Sequence, residues 1–464
     1  MKISHSKVEK NLLTVAILGV PFIVSLNVNF LGALGKNASF YPLFFGVLFW
    51  GIKKFFLEKK VLIPKSPSCY LFLMFLLVVI FSGVINLPSL IEMQFQGVNG
   101  ADRFIVQTGA LCFYFFSTLF VSHACTYFIK EPISFFRHIL LLSFIIPAAY
   151  SFFEILVFGG FLFAQDALTS LDMIFRKADD LYYYRIRSVT AEASAFGMYS
   201  ALLFPWLLNC ILHDNGSKKI FFLIIFFYFL TLNLLSFSRT SYVILTIEFI
   251  LYVSFFFSSI RHRLRALIGY ISIGGIIFGV LYLKIGEELG IDVGQIFLSL
   301  TADDGPQAMS NVARYASTLA ALEIWQEYPI FGCGLGAYGF YAPGYYPNWA
   351  WSSIEIVGWS LNTLSEGSWP LAHNMYARML AETGALGAGL WGLIGVFLIY
   401  EIWGLLKHDV NKMYVKCLLI STVGILLCGF NSESLHFFAY WIILGMVWSY
   451  RLKKMLSVSY EIRE

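Results

Sequence analysis

The sequence is poor in charge. Asp, Glu, Lys and Arg supply 13% of its 464 residues, against about a quarter in soluble globular proteins, which argues against an ordinary water-soluble enzyme. The net charge is only +4, and nucleic-acid binding would need the basic residues gathered on one exposed face. Cysteine is also sparse and unpatterned. There are seven, without a Cys-x-x-Cys, and six of them (Cys69, Cys112, Cys125, Cys210, Cys417 and Cys428) lie in or at the ends of apolar runs. That distribution speaks against a disulfide framework and a thiolate metal site alike. There is no repeat at a fixed period and no low-complexity linker. A signal-peptide core is lacking too, because the apolar run after the basic Met1–Lys10 segment, Leu12–Leu34, is too long to be one.

What the chain has in abundance is apolar sequence: 58% hydrophobic residues, 47 of them Phe. A bilayer-crossing helix needs about 20 mostly apolar residues, and by that measure the chain holds about twelve spans. The expected class is an all-α polytopic membrane protein, a single integral membrane domain over 1–464. The first span is Leu12–Leu34 and the fifth Ile139–Phe163. Basic residues set the orientation, since short Lys/Arg-rich loops stay cytoplasmic. They cluster at Lys53, Lys54, Lys59, Lys60 and Lys65, at Lys130 and Arg137, and at Lys218 and Lys219. Further clusters follow at Arg261, Arg263 and Arg265, at Lys407, Lys412 and Lys416, and at Arg451, Lys453 and Lys454. Placing all of these inside puts both termini in the cytoplasm.

Only one long run, Lys284–Asn374, could not sit within a bilayer, and orientation places it outside as a large loop, 285–372, between the ninth and tenth spans. It holds a single Arg, Arg314, against nine acidic residues between Glu287 and Glu366. Asn311–Tyr328 spaces Val312, Tyr315, Leu319, Leu322 and Trp325 as one helical face, expected to lie along the interface. The aromatics from Tyr338 to Trp369 suit either sugar stacking or an interfacial belt. Asp303–Asp304 is expected to be solvated charge rather than a metal site. Gly334, Gly336 and Gly339 form a formal G-x-G-x-x-G without the βαβ unit that dinucleotide binding requires; tight turns are the better explanation.

The unusual polar residues gather on the same outer face: Arg187, Glu192 and Ser194 at the start of the sixth span, Arg239 between the seventh and eighth, Arg314 and His373 at the two ends of the loop, and Glu433. Ionisable groups near a membrane are costly and mark functional sites, and several cations facing one cavity suit a phosphate or pyrophosphate, which Arg binds in bidentate fashion. Each residue also has a plain role. Arg187 can be a flanking charge or pair with Glu192, Arg239 can anchor its turn, Arg314 can bridge to a loop carboxylate, and His373 can cap the helix that follows it. A neutral His373 could instead take a proton from a sugar hydroxyl.

Arg239 in a Ser-Arg turn, Arg314, the run Tyr328-Pro329-Ile330-Phe331-Gly332-Cys333-Gly334, His373-Asn374-x-Tyr376 and Glu382-x-Gly384 together make a pattern. It resembles the bacterial O-antigen polymerase and O-antigen ligase superfamily, most specifically between Arg314 and Gly384. The resemblance implies a GT-C-like fold and a metal-independent glycosyltransferase without cofactors. Its substrate would be an undecaprenyl pyrophosphate-linked oligosaccharide at the periplasmic face of the bacterial inner membrane, and a chain-length regulator and a flippase would be partners. By the likeness His373, Arg314 and Arg239 are catalytic, with Glu192 or Glu433 assisting; Arg187, Arg239, Arg314, Asn374 and Tyr376 contact pyrophosphate or glycan. Ala193 stands where the family often has proline. Thr190–Ser194 and the long aromatic loop favour a polymerase, which elongates a lipid-linked glycan, over a ligase, which moves it to lipid A core. A lipid-linked sugar flippase is the alternative of another class.

Overall fold

The computed structural model describes residues 2–24, 32–59, 61–176, 185–213, 216–281, 306–361, 369–407 and 411–461. Asp303, Asp304 and Glu366, and with them the first part of the long loop, lie outside the described residues. The described chain is helical almost throughout. Its N-terminal half holds α1 (Lys2–Leu18), α2 (Phe40–Gly51, continuing as a π-helical turn to Leu57), α3 (Pro67–Ile85), α4 (Gly100–Phe128), α5 (Pro132–Ser143), α6 (Ile145–Phe158) and α7 (Leu162–Phe175). Then follow α8 (Ala193–His213), α9 (Ser217–Leu235), α10 (Arg239–Phe256) and α11 (Ile260–Leu281). The loop contributes α12 (Pro306–Glu327), α13 (Tyr338–Tyr345) and α14 (Ile354–Leu361), and the chain ends with α15 (Met375–Leu405), α16 (Lys412–Cys428) and α17 (Phe438–Glu461). Gln94–Phe95 pairs antiparallel with Val98–Asn99 as a small hairpin before α4.

Eight stretches among the described residues are long and apolar enough to cross a bilayer: α2 with its π turn, α3, α4, α5–α6 together, α8, α9, α10 and α15. The protein is therefore all-α and polytopic. Leu77, Val84, Ile105, Ile224 and Val396 are exposed on these helices, as side chains facing lipid should be. α8 is different, with 78% of its apolar window buried against 33–50% for the others. It is the central helix, packed against α9, α10 and α16. The Ser421 hydroxyl of α16 donates to the Leu202 carbonyl of α8 at 2.9 Å, the kind of cross-helix bond that joins helices where lipid offers no hydrophobic drive. A second group pairs α17 with α4 and α15 with α3.

Three boundaries differ from those expected. The first helix begins at Lys2 and ends at Leu18, where Gly19–Pro21 turns the chain, so Leu12–Leu34 is not one continuous span. The fifth span starts earlier, at Pro132 in the first turn of α5, where proline's missing N–H costs nothing, and it stops at Phe158 before the separate helix α7. The third concerns α12. Its buried face is Ala313, Ala316, Ala320, Ala321 and Ile324, while Tyr315 is exposed. The helix packs against α15, and its alanines allow the close approach to Ala377 and Ala381, so the larger apolar residues do not define the packed face.

α15 carries the feature that positions the site. Gly384 has φ +65° and ψ −172° inside it, a region essentially restricted to glycine, and the helix is interrupted there. The run Pro329–Gly334 fills the gap. Cys333 N–H donates to the Ala381 carbonyl at 2.9 Å and Gly334 N–H to that of Glu382 at 3.0 Å; the Ala385 N–H donates to Pro329 at 2.8 Å and the Leu386 N–H to Ile330 at 3.3 Å. Each backbone group released by the break thus finds a partner, the condition for a broken helix at membrane depth. A Cβ on Gly332 would overlap the Glu382–Thr383 peptide, and one on Gly384 the Ile330 carbonyl. In the formal G-x-G-x-x-G, Gly334 and Gly336 have φ +105° and +88°, turn conformations that favour glycine, and a Cβ on Gly339 would overlap the Trp369 ring.

Candidate active site at the outer ends of α8, α10, α12 and α15

α12 carries two side chains that reach two different parts of the bundle. Asn311 accepts from Arg239, the first residue of α10, at 2.8 Å. One turn further, Arg314 donates to Asn431 beyond the end of α16 at 3.2 Å. The loop helix is thereby tied across one end of the bundle, and the charges of Arg314 and Arg185 both act on Arg239. Arg314 makes no ion pair with a loop carboxylate among the described residues, which include Glu323, Glu327 and Glu355 but not the other six acidic residues of the loop. Its Nε is buried without a hydrogen-bond partner there. Glu355 of α14 feels both Arg314 and Glu192; burial raises its carboxyl above the usual range, against the pull of Arg314.

His373 precedes α15 with φ +54°, an uncommon backbone for a non-glycine residue and a sign of a constrained position. Its ring packs on Trp359 at 5.3 Å between centroids, and its Nε2 is buried without a partner among the described residues. Burial, helped by the nearby Arg314 charge, presses the imidazole down to about 4. It is therefore neutral near pH 7 and has a free lone pair. The capping role belongs to its neighbour: Asn374 accepts from the N–H groups of Tyr376 and Ala377 at 3.0 and 3.2 Å. Tyr376 donates to the Leu426 carbonyl at 2.6 Å and packs on Phe430. The Asn374 amide oxygen and the Tyr376 hydroxyl are thus both engaged in holding the start of α15.

Arg187 and Glu192 do not form the internal pair considered from sequence. The N–H groups of Arg187 and Ser188 donate to the Glu154 carboxylate of α6 at 3.2 and 3.0 Å, and Glu192 accepts from the Ser194 hydroxyl. Arg187 is buried in this turn, whereas Glu192 is exposed. It borders a cavity of about 260 Å³ that separates the N-terminal segment from the start of α8.

Beneath the site is a charged layer of which sequence reasoning named Glu382 and Glu433 but not Arg378 or Arg103. Arg378 and Glu382, one turn apart on α15, form a buried ion pair at 3.0 Å. Arg378 also donates to the Glu433 carbonyl at 3.1 Å, and the Glu433 carboxylate accepts from Ala372 N–H, next to His373. Arg103 of α4 donates to the Gly336 carbonyl at 3.2 Å and lies 3.6 Å over the Trp369 ring. An Arg and a Glu four apart in an apolar span were the available signal, as were the lone Glu154 and Arg103. Among the described residues no group of His, Cys, Asp and Glu has the arrangement of a metal site.

Residues 223–392 match the family model described as O-antigen ligase. Over this segment, well under half of the chain, the sequence is similar to the O-antigen polymerase and ligase superfamily. The superfamily segment contains Arg239, Arg314, His373, Asn374, Tyr376 and the Gly384 break, while Arg187, Glu192 and Glu433 lie outside it. No curated protein matches the chain. A multi-pass membrane protein of the membrane-glycosyltransferase type follows from the superfamily segment and the apolar helices together.

Proposed function

We propose that the protein is a surface-polysaccharide polymerase of about twelve membrane crossings, with its termini in the cytoplasm and its site at the periplasmic face of the bacterial inner membrane. It moves a growing glycan from undecaprenyl pyrophosphate to a lipid-linked repeat unit. The observation that carries this reading is that α12 holds Arg239 through Asn311 and carries Arg314, itself held by Asn431, near the Nε2 of a neutral His373 that is unpartnered among the described residues.

The chemistry is a displacement at the anomeric carbon. The acceptor oxygen forms the new C–O bond, the bond to the pyrophosphate oxygen breaks, and its electron pair leaves on the pyrophosphate. Negative charge grows on that leaving group, so fixed guanidinium groups stabilise the transition state more than the ground state. His373 Nε2 accepts the acceptor's proton. Arg187 supports the site through its turn, and Glu192 faces the acceptor. A single displacement inverts the anomeric configuration.

The ligase reading stays beside it because the matched model is described as O-antigen ligase. Purified protein given lipid pyrophosphate-linked repeat units separates them. A ladder of lengthened lipid-linked chains supports polymerisation; transfer only when lipid A core is added supports ligation. Passage of intact carrier lipid across liposomes without transfer would point to a flippase.

A further inference from the structure

We infer that the cavity beside Glu192 is the subsite for the acceptor sugar, distinct from the place of the leaving pyrophosphate; this rests on the transfer reading above. The cavity is formed by three parts of the chain: the segment after α1, the start of α8, and the turn between α16 and α17. Its volume of about 260 Å³ lies just under the roughly 300–1,000 Å³ of pockets for drug-sized ligands, a size for one sugar residue rather than an extended chain.

The lining decides among the chemical groups that could occupy it. The cavity's polar lining includes Glu192, Ser194, Ser434, His436 and Lys36. A pyrophosphate would meet one lysine opposed by a carboxylate, a poor match for concentrated negative charge. A hydrocarbon tail would strip water from the Glu192 carboxylate and the Lys36 ammonium, which is costly. A ring bearing several hydroxyls satisfies both donors and acceptors, and the apolar side, with Met198 and Phe437, fits its C–H face.

The cavity also leads to the reaction centre. Ser194, Met198 and Ser432 line both it and a narrower cleft that reaches Thr240 and Asn431. Thr240 follows Arg239 in the chain, and Asn431 accepts from Arg314. A sugar held in the cavity therefore lies beside the residues that flank the two arginines, Thr240 next to Arg239 and Asn431 holding Arg314. Glu192 and Ser194 would choose which hydroxyl points that way, making them specificity-determining positions.

The test reads occupancy without requiring turnover. Ser434 is exposed, while six of the seven native cysteines are buried, so Ser434→Cys gives a cavity thiol whose labelling by a water-soluble maleimide can be followed above the native background. The free repeat-unit oligosaccharide, inorganic pyrophosphate and undecaprenyl phosphate are offered separately as protectants. The oligosaccharide at about four times its Kd is expected to slow labelling about fivefold, the rate falling as 1 + [L]/Kd. The other two should leave it unchanged, and adding Glu192→Gln should weaken the protection. Lys36→Cys, on a different segment, repeats the measurement where Ser434→Cys does not fold. Protection by pyrophosphate or by the lipid, or by nothing, overturns the proposal. Failure of the wild-type protein to transfer glycan would instead remove the transfer reading and leave the occupancy result standing.

Discussion

The Arg239 guanidinium donates to the Asn311 side chain at 2.8 Å, joining the first residue of α10 to the loop helix one turn before Arg314. The arginine nearest the bundle is thus held by a neutral amide, which takes up none of its charge. Asn311→Ala removes this hold and keeps the charge. Transfer by the purified protein is expected to fall about tenfold, as a hydrogen bond to a charged group is worth about 1.5–3 kcal/mol, whereas Arg239→Ala should lose about 100-fold or more.

The break in α15 gives a stability prediction with its own control. Gly384→Ala requires a side chain at φ +65° that also overlaps the Ile330 carbonyl, and the strained backbone alone costs about 1–3 kcal/mol. Gly389 lies in the same helix with open space at its Cβ, and Gly389→Ala should be neutral or stabilise by up to about 1 kcal/mol. Thermal unfolding in detergent should separate the pair clearly. Equal midpoints would mean that the loop does not pack through the break.

The pH dependence follows from His373. Its imidazole is pressed down to about 4 from an ordinary value of about 6.5, so the proton-accepting form persists as pH falls through 6.5 and is lost only as pH approaches 4. The acid limb of kcat/KM, which reports the free enzyme, is expected well below 6.5. The stability effect has the same sense. Between about 6.5 and 4 the unfolded chain takes up a proton that the folded protein refuses, so His373 makes the fold less stable as pH drops across that window. An acid limb at 6.5 would show that the imidazole is solvated and not held as described.

The candidate residues were legible in the sequence because membranes make charge conspicuous. Arg239, Arg314 and His373 stood out as polar residues at one face of an apolar chain, and all three meet around α12. The plain roles were harder to assign. Asn374 serves as the helix cap and Tyr376 as a donor to Leu426, because local hydrogen bonding decides those positions and family likeness does not show it. The burial of α12 was misjudged since its packed face is alanine, and hydrophobic patterning gives weight to large residues. The Arg378–Glu382 pair was hidden by its position inside a span, where its partners come from segments distant in sequence.

That pair should be sensitive to removal of one member. Arg378→Ala leaves Glu382 buried and unpaired, a loss of about 3–5 kcal/mol, and also frees the Glu433 carbonyl beneath His373. Replacing both partners together, as Arg378→Met with Glu382→Gln, should recover part of the stability, read as the thermal midpoint. No recovery would indicate that the two residues act separately.

The most direct test of the account is glycan assembly in detergent by the purified protein with lipid pyrophosphate-linked repeat units and EDTA, alongside His373→Ala and Arg314→Ala. The account predicts a ladder of lengthened lipid-linked chains that persists in EDTA, with rates reduced by about 100- to 1,000-fold in Arg314→Ala and by about 100- to 10,000-fold in His373→Ala. A ladder that both variants make at the wild-type rate would contradict it.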